Sequence, residues 1–311
     1  MRICIVGPGA LGCLHAALLA RAGADVCLLD HRPERAALIR ERGVTVEDES
    51  GSWTASVPCS DDASALPPPD CLLLCVKTFQ TGPALAHAAG ALGPETVVAS
   101  IQNGLVDPEC LVDAASPERV VLGTSRNAAN TLGPGHVRHA GSGATFLGPL
   151  APDGMPAADR VAEALRVAFA EVRVVDDIAT YLWRKLFVNV ALNPLTALTG
   201  LRNGQLVRVP LLLAAIRDLT REAERVALAR EVDTKPGLAM RAALDACKHT
   251  AENRSSMLQD AQANRRTEID DICGAVAREA GIAETHAPLN KAMTWLVSEV
   301  LRTGETNASR L

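Results

Sequence analysis

Residues 2–30, RICIVGPGALGCLHAALLARAGADVCLLD, carry the reading that decides the fold. An apolar run, RICIV, ends in GPGALG at residues 7–12; a stretch of helical composition follows, and a second apolar run, DVCLLD, closes the segment. G-x-G-x-x-G is weak on its own, but between a strand and a helix it marks a dinucleotide-binding turn. Gly7 permits the tight turn, Gly9 lets backbone approach a pyrophosphate, and Gly12 allows close helix–strand packing. The phosphates would rest on the amides at the start of the helix, those of Ala10, Leu11 and Gly12. A glycine-rich turn with no ligand is the plain alternative, and the strand–helix context argues against it.

Outward from this segment, DCLLLCV and TVVASI are further short apolar runs, alternating with helical stretches such as PERAALIRERG. That alternation predicts an α/β, doubly wound, mostly parallel sheet. Residues 44–58 read as a hairpin or strand pair. RVVLGTS, GHVRHA, GATFLG and EVRVV read as strands, with a helix near 156–170. After VVDDI no convincing strand remains, only long amphipathic stretches; EIDDICGAVAREAG sets Ile269, Ile272, Val276 and Ala280 on one stripe. The expected organisation is a dinucleotide-binding domain over 1–176 and an all-α domain over 177–311. The tail RTGETNASRL is expected to be poorly ordered.

Composition excludes several classes. A net charge of −5 and the lack of a basic stripe argue against nucleic-acid binding. The longest apolar runs, LLLCV and VPLLLAAI, are far shorter than a membrane span. Nine cysteines form no CxxC pair and no zinc spacing, and the seven histidines show no ligand spacing, so reduced thiols and no metal are expected. With a start directly on a strand-like run, these features point to the cytoplasm. The 31 basic residues divide into 26 arginines and five lysines, which makes a lysine amid apolar residues worth a closer reading.

At the end of the second strand, Asp30 stands where a carboxylate can hold the ribose 2′-hydroxyl of NAD. DHRPER also supplies Arg32 and Arg35 for the 2′-phosphate of NADP, and Asp30 can equally be a turn or cap residue ahead of Pro33. The residues leave both nucleotides open. CVKT sets Lys77 and Thr78 past the fourth strand, with Gln80 close behind, and SIQNG sets Gln102 and Asn103 past the fifth. Ligands of open α/β sheets bind outside such strand ends, so these are candidates for the nicotinamide side; an ordinary turn and a loop lysine are the plainer alternatives.

In YLWRKLFVNVALNPLTALTG, residues 181–200, Lys185, Asn189 and Asn193 recur every four residues and so share one helical face. Trp183, Leu186, Phe187, Val190 and Leu192 would face the core. Pro194 is expected to break or kink this helix and free backbone groups. Asn203 lies in a turn, and ENRSSMLQDAQANRRTEIDDI adds Asn253, Ser256 and Glu268. Taken singly, Ser256 reads as a helix cap and Glu268 as a surface carboxylate.

Taken together, GPGALG, CVKT, QNG, WRKLFVNVALNPLTAL followed by NG, and SSMLQDAQANRRTEID resemble the ketopantoate reductases in kind and in order, from residue 1 to about 290. The resemblance implies a Rossmann domain that binds NADPH, an all-helical domain, and reduction of a 2-keto acid to a 2-hydroxy acid on the route to pantothenate. Carried over by motif, Lys185 would be the general acid and Asn103 would lie by nicotinamide and substrate. Asn189, Asn193, Asn203, Asn253 and Ser256 would hold substrate polar groups, and Glu268 would bind the substrate hydroxyl or orient the lysine. The family commonly places an arginine one or two residues after the second strand; here Asp30 ends the strand and Arg32 is displaced, so NADH stands beside NADPH. A reductase of another 2-keto acid and a non-catalytic dinucleotide sensor are the alternatives, the sensor disfavoured because it needs neither Lys185 nor Glu268. A homodimer built through the helical domain is compatible with the sequence.

Overall fold

The computed structural model describes residues 1–308, with side chains through Leu301; residues 302–311, the tail expected to be poorly ordered, lie outside the described side chains. The chain divides into two compact units, 1–102 with 107–178, and 103–106 with 179–311.

The first unit runs β1 (Ile3–Val6), α1 (Ala10–Arg21), β2 (Val26–Leu29), α2 (Pro33–Arg42), β3 (Val44–Asp48), β4 (Gly51–Ala55), β5 (Cys59–Ser60), β6 (Cys71–Leu74), α3 (Thr81–Ala88), β7 (Val97–Ser100), α4 (Pro108–Val112), β8 (Val120–Ser125), β9 (Ala128–Gly133), β10 (His136–Gly141), β11 (Thr145–Pro149), α5 (Met155–Arg166) and β12 (Val172–Val174). Eight strands form a sheet in the order β12-β11-β8-β7-β6-β1-β2-β5. From β8 to β5 all neighbours are parallel, and β11 runs against β8. Every residue of β1, β2, β6 and β7 is buried, as expected of parallel strands covered on both faces.

The hairpin expected at 44–58 is present as β3–β4, but it belongs to a separate sheet, β4-β3-β10-β9. Its strand β9, AANTLG, has the composition of a loop; pairing with β10 across two register shifts makes it a strand. All nine cysteines are unpaired. Burial pushes the thiols of Cys13, Cys59 and Cys71 up to about 12, so these behave as small apolar side chains.

The second unit is helical: α6 (Ile178–Thr199), α7 (Asn203–Leu206), α8 (Pro210–Ala229), α9 (Leu238–His249), α10 (Ser256–Gln262), α11 (Ile269–Ile282) and α12 (Pro288–Ala308). Its core joins Trp183, Leu186, Phe187 and Val190 of α6 to Ala223 and Val226 of α8, Ile269, Ile272, Val276 and Ala280 of α11, and Val297 of α12. Of the break or kink expected at Pro194, the break does not occur, since α6 runs through it to Thr199. Proline removes one N–H, so the Val190 carbonyl loses its in-helix donor, but the buried walls on either side hold the helix together.

Two buried glutamates of α8 act as remote caps. Glu222 accepts from the amides of Leu289 and Asn290, each at 3.0 Å, at the start of α12. Glu224 accepts from Gly237 N at 2.7 Å and Ala239 N at 3.0 Å, at the start of α9. Each carboxylate satisfies amides that a helix start leaves unpaired, and complements its dipole. Among the described residues, no helix is long and apolar enough to cross a membrane, and no His/Cys/Asp/Glu group has the form of a metal site.

Candidate active site

In the first unit the strand ends of β2, β1, β6 and β7 lie side by side, because these four are parallel neighbours. Gly7 has φ of +95°, and a Cβ there would come within 2.5 Å of Val76 Cγ1. Gly12 packs α1 onto the turn: its Cβ would lie 2.1 Å from the Gly7 carbonyl oxygen. Around Gly9 nothing lies within 4 Å of a would-be Cβ, so the space in front of the loop is clear. The first bond within α1 is Cys13 N to Gly9 O, at 2.9 Å. The amides of Ala10, Leu11 and Gly12 therefore face out of the helix start, which has no side-chain cap. Open space, a glycine turn and outward amides fit a pyrophosphate.

Asp30 follows β2 and is 1% exposed. Its carboxylate takes a forked pair from Arg35, through Nε to Oδ2 and through Nη2 to Oδ1 at 2.6 Å, and the Arg32 amide donates to Oδ1 at 3.2 Å. The hydrogen bond to Asp30 raises the pKa of Arg35. Arg32 is exposed and occupies the N-cap position of α2. Lys77 and Gln80 bracket a short 3₁₀ turn past β6, and both are half-buried. Gln102, past β7, spends its side chain internally: Nε2 donates to the Val76 carbonyl at 2.9 Å and to Thr81 Oγ1 at 3.0 Å, and Oε1 accepts from Ser100 Oγ at 2.9 Å. It braces the ends of β6, β7 and α3 and is saturated in doing so.

In the second unit, Lys185 and Asn189 are half-buried along α6 and Asn193 is buried; Trp183, Leu186, Phe187 and Val190 turn another side of the helix into one core cluster, and Leu192 and Leu195 pack into a second. Asn103 belongs to this unit, and its Nδ2 donates to Glu268 Oε2 at 3.3 Å across 165 residues of sequence. Glu268 is 4% exposed, the residue before α11, so the reading of it as a surface carboxylate is wrong. Gly104 makes this contact feasible. It has φ of +79°, and a Cβ would come 2.2 Å from the Asp271 carbonyl oxygen. The next residue fixes the segment, with Leu105 N donating to that same carbonyl at 3.2 Å.

Asn203 and Asn253 meet through backbone, Asn203 N to Asn253 O at 3.1 Å. Asn203 Nδ2 donates to Thr250 Oγ1 at 2.8 Å, while its Oδ1 is buried without a hydrogen-bond partner. Asn253 and Ser256 are exposed. The cap of α10 is Ser255, not Ser256: Ser255 Oγ accepts from Leu258 N at 3.0 Å and pairs with Thr196 of α6 at 2.6 Å. That link brings the 253–256 turn to the turn of α6 that follows Asn193. The sequence signal for it was the SS pair before an apolar run, read one residue late.

Asp271 is not among the residues that the sequence motifs single out. It sits one turn along α11 from Glu268, with one oxygen buried and unpartnered and Arg278 at 3.8 Å from the other. Burial, with Glu268 and Asp270 adding to it against Arg278, pushes its carboxyl up to about 6. The EIDDI run was the available clue.

A glycine turn on a parallel sheet, joined to an all-helical unit with a lysine–carboxamide face, is the architecture of a nucleotide-dependent oxidoreductase. Two family descriptions divide the chain: "Ketopantoate reductase PanE/ApbA" matches residues 3–152 and its C-terminal counterpart residues 177–300. The chain belongs to the ketopantoate reductase PanE/ApbA family. A 2-dehydropantoate 2-reductase of Halobacterium salinarum is 33% identical over 98% of this chain and 100% of its own length. The crystal structure of a ketopantoate reductase of this family from Ralstonia eutropha superposes with a TM-score of 0.88 at 31% identity, covering 98% of this chain and 100% of that one. The fold is also shared with a D-mandelate dehydrogenase solved with NADH and anilino(oxo)acetate, at a TM-score of 0.91, 24% identity, and 97% and 99% coverage.

Proposed function

We propose that the protein reduces 2-dehydropantoate to pantoate with NADPH, the residues before 177 holding the nucleotide and those from 177 onward carrying the substrate groups. The observation behind this reading is the second unit's polar array: Lys185, Asn189 and Asn193 along one helix, and a buried Glu268 that takes the Asn103 amide. The bound nucleotide supplies a hydride to the keto carbon. Negative charge then develops on the keto oxygen, and the Lys185 ammonium stabilises it and donates the proton that completes the alcohol. Asn189, Asn193, Asn253 and Ser256 present neutral donors to the substrate carboxylate and hydroxyl. Asn203, tied to Asn253 through backbone, completes this polar set. Glu268 holds Asn103 in place and keeps a compensating charge in the unit that carries the lysine.

For the nucleotide, Gly7, Gly9, Ala10, Leu11 and Gly12 hold the pyrophosphate, and Lys77, Gln80 and Asn103 serve the nicotinamide end. NADPH is favoured by the two arginines beside β2 and by the commitment of Asp30 to one of them. The unpaired cysteines support a reducing compartment, the cytoplasm. Apolar side chains exposed on α12, Leu289, Leu296 and Trp295, support a homodimer through the helical unit.

The test mixes purified protein, 2-dehydropantoate and either NADPH or NADH and follows the absorbance of the reduced nicotinamide. Turnover only with a different 2-keto acid assigns the paralogous reductase, and nucleotide binding with no turnover of any keto acid assigns the sensor. Lys185→Ala should lower kcat by about 10³-fold with nucleotide affinity unchanged. Near-normal turnover in that variant removes Lys185 from the chemistry.

A further inference from the structure

A carboxylate at the end of the second strand ordinarily selects NAD, by accepting from the ribose 2′-hydroxyl and repelling a 2′-phosphate. Here that carboxylate is closed. The Asp30 side chain has 0% exposure, and both oxygens are occupied by the Arg35 fork and the Arg32 amide. The arrangement is built into the backbone. Asp30 N donates to the Ser60 carbonyl at 2.9 Å, Pro33 opens α2, and Ala36 N returns to the Arg32 carbonyl at 3.0 Å. Arg35 thereby falls in the first turn of α2, five residues beyond the acid it covers, with its side chain still 24% exposed. Two of its five N–H donors are spent on Asp30, and the rest remain for an anion.

We propose that Arg35 is the specificity-determining residue of the nucleotide site: by occupying Asp30 it withdraws the acceptor an unphosphorylated ribose needs, and with Arg32 it offers cationic donors to a 2′-phosphate. This rests on the NADPH reading above and gives it a mechanism. NADH can use Asp30 only after displacing a buried, forked ion pair, and that displacement is subtracted from its affinity. NADPH meets no such barrier, since Arg35 can keep one hand on Asp30 while its remaining donors face the phosphate.

The experiment measures dissociation constants of NADPH and NADH by nucleotide fluorescence, without substrate, in wild type, Arg35→Met, Arg32→Ala, Asp30→Asn and the Asp30→Asn/Arg35→Met double variant. Expected is NADPH preference in wild type. Arg35→Met should weaken NADPH about tenfold and tighten NADH about threefold, because Asp30 is uncovered. Arg32→Ala should weaken NADPH alone, and the double variant should lose the NADH gain. Arg35→Met also leaves a fully buried carboxylate unpaired, so Asp30→Asn is the second arm: the charge it leaves without its partner is that of the partly exposed Arg35, and NADH affinity should stay unchanged within about twofold. No NADH gain in a folded Arg35→Met, or a clear loss of NADH affinity in Asp30→Asn, overturns the proposal while the NADPH reading stands. Wild type that prefers NADH, or binds neither nucleotide, overturns both.

Discussion

Asp271 carries a stability cost that depends on pH. Its carboxyl titrates at about 6 in the folded chain against an ordinary value of 3.8, mainly because burial disfavours the charged form. The folded chain holds this proton more tightly than the unfolded chain. Its contribution to stability is therefore fully present below about pH 4, declines as pH rises toward 6, and is absent above. A shift of roughly two units corresponds to at most about 3 kcal/mol. The side chain keeps 15% exposure beside Arg278, so water screening brings the expected figure to about 1–2 kcal/mol. Asp271→Asn removes the titration and leaves the backbone carbonyl that receives Leu105 N. The variant should be more stable than wild type by that amount at pH 7.5, a rise in Tm of roughly 2–4 °C, and indistinguishable near pH 4. Calorimetric melts of both proteins from pH 4 to 8 give the comparison. A difference that stays constant with pH, or a variant less stable at pH 7.5, refutes the assignment of the shift to this buried carboxyl.

Glu222→Ala strips three donors at the start of α12 of their acceptor and should cost about 2–4 kcal/mol in denaturant unfolding, with Glu222→Gln costing roughly half. Gln102→Leu leaves the Val76 carbonyl, Thr81 and Ser100 without their shared partner; nucleotide affinity should fall about fivefold or more, whereas Thr81→Ser, which keeps the hydroxyl, should stay near wild type in the same titration. Gly104→Ala places a methyl against the Asp271 carbonyl at positive φ and should cost about 2–3 kcal/mol in stability together with most of the turnover, read by parallel melts and steady-state assays.

What the sequence made legible was local in origin. The turn at residues 7–12 follows from glycine positions and flanking hydrophobicity, and the stripe from Ile269 to Ala280 from spacing alone; both are found as expected. The misreadings have long-range or context-dependent causes. Strand β9 owes its existence to a partner strand rather than to its own composition. Pro194 sits within a helix because packing on both sides outweighs one lost hydrogen bond. At Asp30 the residues left ribose acceptor and turn cap both open, and its pairing with Arg35 was not legible because a sequence shows neither rotamers nor the angle at which α2 leaves the strand. The contact of Asn103 with Glu268 spans 165 positions, beyond any periodicity. Of the candidate site, the face of α6 was visible in spacing, and the remaining residues were visible only as motifs.

The helical unit is not one uninterrupted length of chain. Residues 103–106 belong with 179–311, and within that unit Leu105 packs against the helical core while Asn103 serves Glu268. An exchange of parts between relatives that cuts only near residue 177 would transplant the helices without their own plug. The grafted α11 would then face whatever tetrapeptide the recipient carries. A productive chimera must move NGLV together with the helices, and the same two blocks should drift together in evolution, a substitution in one being answered in the other.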